Sequence, residues 1–181
     1  MAEPRSPLAT QAANLAALDA VELPFLAQVS VRCGEEIAEQ LGFPVQPNTV
    51  AGDMTRGMLW LGPDEWLVVG VPGSSDGLIA EYEVELAGVH HAIVDVSENR
   101  AVLELHGEGR FHLLASGCSL DLDARGGWVP RTCAQTLFGR APVILQELGT
   151  ATRIFMRPSF AGYVADRLLA THASLVNRPG A

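Results

Sequence analysis

A chain of 181 residues that is 48% hydrophobic is long and apolar enough to bury a sizeable core, which excludes general disorder. Its formal net charge of -9 opposes contact with phosphate backbones and anionic lipid, so neither nucleic acid nor a membrane surface is an expected partner. No apolar run approaches the roughly 20 residues of a membrane span, Glu3 and Asp19 interrupt the stretch a secretory signal would need, and the odd set Cys33, Cys118 and Cys133 is widely spaced, so a cytoplasmic location is expected.

Residues 1–24 are rich in alanine and proline with weak periodicity. They read either as a mobile tail or as an arm that orders only against another chain, since Leu8, Leu15, Leu18, Val21 and Leu23 are more apolar than a solvated tail needs. Ala27 to Arg32 alternates apolar and polar residues, which predicts a half-buried strand. Glu35 to Leu41 predicts a short helix stopped at Gly42 and Pro44. A loop through Pro47 and Gly52 leads to the run LGPDEWLVVG, Leu61 to Gly70, where Gly62-Pro63-Asp64 is a turn signal between β-preferring segments. A hairpin with Trp60 and Trp66 near its end is expected there. Ser75 or Asp76 is placed to cap a helix that carries Leu78, Ile79, Tyr82 and Leu86 and ends at Gly88. A strand over Ala92 to Val96 follows.

This order, β-α-β-β-α-β, is the split βαβ arrangement, an antiparallel sheet with two helices on one face. A second pass repeats it loosely. Strands are expected at Ala101 to Leu105, Thr132 to Phe138, Val143 to Glu147 and Thr152 to Met156, with helices from Gly109 to about Gly117 and from Ser159 to about Ala173. The predicted fold class is α+β, two related half-domains over 25–98 and 99–175, with a frayed end at 176–181.

Chemical motifs are sparse. Gly107-Glu108-Gly109 precedes a helix, but His112 breaks the dinucleotide fingerprint and Glu108 puts negative charge where a pyrophosphate would sit. His90 and His91 lead into a strand, where neighbours point to opposite faces, and no two cysteines stand at ligand spacing. Cys133 lies in an alternating strand as an expected inert thiol, and Ser159 opens a helix where its hydroxyl serves the backbone. Asp95 lies in an apolar strand with Arg100 across a short turn, which predicts an ion pair or a capped turn rather than a ligand contact. Arginines make up most of the basic residues and lysine is absent, which reads either as a set suited to carboxylates at protein interfaces and anion sites or as the codon bias of a GC-rich genome.

The strings RSPLA (5–9), LPFLAQVSVR (23–32), LGPDEWLVVG (61–70), VDVSENRAVLEL (94–105), LLASGCSLDL (113–122), RTCAQTL (131–137) and RPSFAGYVADRL (157–168), in this order and spacing, resemble the gamma subunit of heterotetrameric sarcosine oxidase. The resemblance implies the fold of the folate-binding domain of glycine-cleavage aminomethyltransferase. It implies alpha, beta and delta subunits as partners, with NAD, FAD, FMN, zinc and tetrahydrofolate carried by them and no cofactor on this chain. The implied complex oxidises sarcosine to glycine and hydrogen peroxide and passes the carbon to tetrahydrofolate, as 5,10-methylenetetrahydrofolate, or releases it as formaldehyde. It also implies structural or interface roles: Trp60 and Trp66 as hairpin anchors, Asp95, Ser97 and Arg100 fixing a turn, and Phe160, Gly162 and Tyr163 setting the packing of the last helix. None of these is expected to be catalytic or to bind a metal. Two other readings stay open: a free-standing tetrahydrofolate-dependent transferase, with Asp95 as its best available carboxylate, and a scaffold that dimerises or binds an unrelated regulator.

Overall fold

A computed structural model describes residues 5–177. In chain order the elements are α1 (Ala12–Ala16), β1 (Ala20–Glu22), β2 (Ala27–Arg32), α2 (Glu35–Gln40), β3 (Val50–Gly52), β4 (Arg56–Gly62), β5 (Glu65–Gly70), α3 (Ser75–Glu85), β6 (Ala92–Asp95), β7 (Ala101–His106), α4 (Gly109–Ala115), β8 (Cys133–Phe138), β9 (Ala141–Glu147), β10 (Ala151–Met156) and α5 (Pro158–Val176). A short 3-10 turn, Ala124–Gly126, lies between α4 and β8.

The strands form two antiparallel five-stranded sheets, β3-β4-β5-β2-β6 and β8-β9-β10-β7-β1. Written in this direction the two orders correspond strand for strand. Each half runs strand, helix, three strands, helix, and then needs one more strand beside its first. In the first half β6 follows α3 and fills that place. In the second half the chain ends with α5, and the place is taken by β1 from the opposite end of the sequence, paired Ala20 to Leu105 and Glu22 to Leu103. The expectation of a mobile tail, or of an arm ordered only by another chain, is therefore corrected over the described part of 1–24. Leu8, Leu15 and Leu18 are buried under sheet β8-β9-β10-β7-β1, in one cluster with Leu105, Leu114 and Val164. Their apolar surface and the open edge of β7 find each other within one chain.

Alternation decides the layers. In β2 and β5, Val29, Val31, Trp66 and Val68 face α2 and α3, while Leu67 and Val69 face the other way. In β7 and β10, Leu103, Leu105, Ile154 and Met156 face α4 and α5, while Val102 and Phe155 face the other way. The second faces meet in a shared core of Val50, Leu59, Leu67, Val69, Val102, Cys133, Ile144 and Phe155. The molecule is thus helices, sheet, sheet, helices, with the two sheets stacked back to back. Residues 48–50 and 131–133 stitch the sheet edges together: Val50 N–H donates to Arg131 O at 2.8 Å and Cys133 N–H to Asn48 O at 2.8 Å. Strand β3 stands where a loop is expected, because three residues ending in Gly52 carry no periodic signal. Helix α3 starts at Ser75, but the cap expected from Ser75 or Asp76 is not formed: the cap position is Ser74, whose hydroxyl donates back to Val71 O and makes no bond to the helix N–H groups. The end expected to fray extends past the described residues, and Val176 still belongs to α5.

Candidate functional site

Sequence pattern places Trp60 and Trp66 on facing strands of one hairpin, and the structure pairs them directly across it. Both rings sit on the helix side of the sheet. Trp66 is fully buried, donates from Nε1 to Pro44 O at 2.7 Å, and packs against Phe43 with ring centroids 5.3 Å apart. Trp60 is half-buried in the same cluster. At the tip, Asp64 accepts two hydrogen bonds from Arg32 Nη2, at 2.9 and 3.1 Å.

Asp95 ends edge strand β6 and is exposed. Its Oδ1 accepts from Ser97 N–H at 2.9 Å and from Ser97 Oγ–H, which makes a local Asx turn, and it forms no ion pair with Arg100. Ser97 Oγ accepts from Gln28 N–H at 3.0 Å, and Gln28 Nε2 donates to Arg100 O at 2.9 Å. The turn is thereby tied to β2 through Asp95, Ser97 and the Arg100 carbonyl. The hydroxyl of Ser97, and then its N–H, hold the Asp95 carboxyl below its ordinary value. A depressed folded value stabilises the native state above the ordinary carboxylate range and loses that effect as pH falls through the folded value. Asp95→Ala is accordingly expected to cost at most about 1 kcal/mol, since water screens this exposed group. Thermal melts of both proteins should show a constant gap from neutral pH down to the carboxylate range and a closing gap below it. A gap that widens in acid would contradict this assignment of the turn.

On α5, Phe160 is half-buried against the apolar core. Tyr163 is 38% exposed and its hydroxyl accepts from Arg140 N–H at 3.1 Å. This hydroxyl sits where a side chain at Gly139 (φ +60°) would have to go, so the β8–β9 turn needs glycine both for space and for its backbone angle. Gly162 has open space within 4 Å of where a Cβ would stand, so among the described residues no other segment approaches it closely.

The most constrained polar groups were not singled out by sequence. Arg110, at the start of α4, is buried and donates to four acceptors: Glu147 Oε1 at 2.9 Å, Thr152 Oγ1 at 3.1 Å, Gly107 O at 2.7 Å and Gly149 O at 2.8 Å. Glu147 also accepts from Thr152 Oγ–H at 2.5 Å and Gly149 N–H at 2.8 Å. Nearby, Arg153 Nε donates to Glu104 Oε2 at 2.7 Å, its Nη2 reaches Met54 O of the first half at 3.4 Å, and His106 Nε2 lies 3.1 Å from Glu104 Oε1. A charge in an otherwise apolar strand, inside it as at Glu104 and Arg153 or at its end as at Glu147, is the signal that marks such groups. Their pairing depends on strand register, which single strands do not reveal.

Cys133 lies in the shared core with Sγ 3.4 Å from the carbonyls of Thr49 and Trp60. Burial pushes its thiol up to about 12, so it stays protonated at neutral pH and is a poor nucleophile. Among the described residues no three His, Cys, Asp or Glu side chains converge as metal ligands, and no helix is long and apolar enough to cross a membrane. Surface cavities do occur. One of about 570 Å³ lies beside β1, walled by Leu23, Pro24, Phe25, Val102 and Pro158 and bordered by Arg5 and Arg100.

Residues 19–174 match the model of the sarcosine oxidase, gamma subunit family. A sarcosine oxidase subunit gamma from Arthrobacter sp. is 38% identical over 137 residues, covering 71% of this chain and 66%, just under two thirds, of that protein. One from Corynebacterium sp. strain P-1 is 32% identical, covering 87% of this chain and 81% of that protein. Among solved structures, a chain of the heterotetrameric sarcosine oxidase from Corynebacterium sp. U-96, in complex with pyrrole 2-carboxylate, aligns with a TM-score of 0.88 at 27% identity over 98% of this chain and 99% of that one. The glycine cleavage system aminomethyltransferase T from Bartonella henselae aligns with a TM-score of 0.63 at 12% identity, over 87% of this chain and 48% of that one, a likeness of fold.

Proposed function

The chain belongs to the sarcosine oxidase gamma subunit family, and from that premise we propose that it is a non-catalytic subunit of a heterotetrameric sarcosine oxidase. In this reading it joins alpha, beta and delta chains in the cytoplasm. The complex oxidises sarcosine with oxygen to glycine and hydrogen peroxide, and the methyl carbon leaves as 5,10-methylenetetrahydrofolate or formaldehyde. FAD, FMN, NAD, zinc and tetrahydrofolate are held by the other chains. Here the gamma chain supplies shape and contact surface.

One observation carries the scaffolding role. Glu104 and Glu147, the buried carboxylates among the described residues, are each bound to a buried arginine. A carboxylate so engaged has its oxygens occupied by fixed donors within this chain and offers no open position to a substrate. Asp95, the carboxylate that a transferase reading would use, lies exposed on an edge strand with Ser97 on its oxygen. The test is co-expression of the four genes with a tag on this chain. Stoichiometric recovery of all four chains is expected, and recovery of the tagged chain alone would end the proposal.

A further inference from the structure

Phe25 follows Pro24 in a turn and has φ +60°, a position that in proline turns is filled by glycine or asparagine. For a bulky L residue that angle is strained. The side chain offsets little of that strain within this chain, since Phe25 is 53% exposed. A strained residue that presents an aromatic ring to solvent has no purpose in the isolated fold.

The ring borders the cavity of about 570 Å³ beside β1, together with Arg100. The two most buried arginines among the described residues, Arg110 and Arg153, each hold a carboxylate. Arg100 is half-buried, yet among the described residues its guanidinium makes neither a hydrogen bond nor an ion pair. Burial, and then the charge of Arg157 at the start of α5, push it below its ordinary value, with Glu65 only partly offsetting them. The two acids on the rim do not answer this charge. Glu22 is turned onto Ser6 Oγ and Leu8 N–H, and Glu98 enters no ion pair among the described residues. A half-desolvated cation beside an apolar wall is unfavourable alone and becomes favourable when an anion is brought to it.

We propose that this groove receives a carboxylate-bearing segment of a partner subunit, its acid on Arg100 and an adjacent apolar side chain against Phe25. The charge selects the occupant: Leu23, Pro24, Val102 and Pro158 accept an apolar residue, and the unanswered guanidinium requires the acid next to it. The site rests on the subunit reading above.

The experiment uses the four-chain complex. Untagged wild type and variants of this chain are titrated against a complex assembled without it, or competed for it during co-expression. Arg100→Glu should weaken capture by about 30-fold or more, the effect of reversing one member of a desolvated charge pair. Phe25→Gly relieves the backbone, so it should raise the melting temperature of the lone chain while weakening capture, opposite signs that misfolding cannot produce. With p-benzoylphenylalanine at position 25, photocrosslinking should join this chain to a partner peptide that contains Asp, Glu or a C-terminus. If wild type assembles and both variants assemble equally well, or the crosslink goes to a second copy of this chain, the groove assignment is overturned. Failure of wild type to assemble overturns the subunit reading and this site with it.

Discussion

Deleting residues 1–22 is expected to leave the chain unfolded or aggregated. The segment contributes three nearly fully buried leucines, Leu8, Leu15 and Leu18, to the core beneath sheet β8-β9-β10-β7-β1. Burying three leucines is worth roughly 5 kcal/mol or more, against a total stability of about 5–15 kcal/mol for a typical domain. The deletion also strips β1 from β7 and exposes a strand edge that continues an apolar sheet, a template for association between chains. A complementary experiment separates loss of the segment from loss of its position. The end of α5 lies near the start of β1, since His172 and Leu175 border one cavity with Ala17, Leu18 and Asp19. A circular permutant that begins at Phe25 and carries residues 1–24 after its present C-terminus, through a flexible linker of about ten residues, should fold and melt cooperatively. Circular dichroism and light scattering read both proteins. A deletion with an unchanged melt would mean that the segment is dispensable and that β1 does not complete its sheet.

Arg110→Ala should cost about 3–5 kcal/mol, because it leaves the Glu147 carboxylate buried without its cation. It also frees Gly107 O, Gly149 O and Thr152 Oγ1, so the start of α4 is untied from the β9–β10 turn. For a chain of this size that is a fall of roughly 10 °C in melting temperature. The control is Arg125→Ala. Arg125 pairs with Asp123 at 3.0 Å, but its side chain is 91% exposed, and such pairs contribute about 0–1 kcal/mol. Equal melting shifts for the two variants would show that the Arg110 network is not a structural centre. Arg125 keeps the comparison free of a general arginine effect.

Much of the architecture is legible in the chain. Strand β2 announces itself by alternation, and the turn residues at 62–64 fix the hairpin that pairs Trp60 with Trp66. The repeated succession of helices and strands yields the two related halves. Helix α1 and strand β1 escape because they are five and three residues long and hold their form only against α5 and β7. Their sequence, rich in alanine, is equally compatible with disorder until a partner edge is known. The same limit applies to side chains. Asp95 and Ser97 are two residues apart, so their turn is local chemistry and can be read directly. Arg110 and Glu147 are 37 residues apart, and only the folded register brings them together. Phe25 illustrates a third case: its backbone angle, not its identity, marks it as unusual.

The account holds that the chemistry belongs to neighbouring chains. Its most direct test is turnover by the purified lone chain, supplied with sarcosine, oxygen and tetrahydrofolate and assayed for hydrogen peroxide and formaldehyde beside the assembled complex. Background rates from the lone chain, with robust turnover by the complex, are the expected result. Sarcosine oxidation by this polypeptide alone would contradict it.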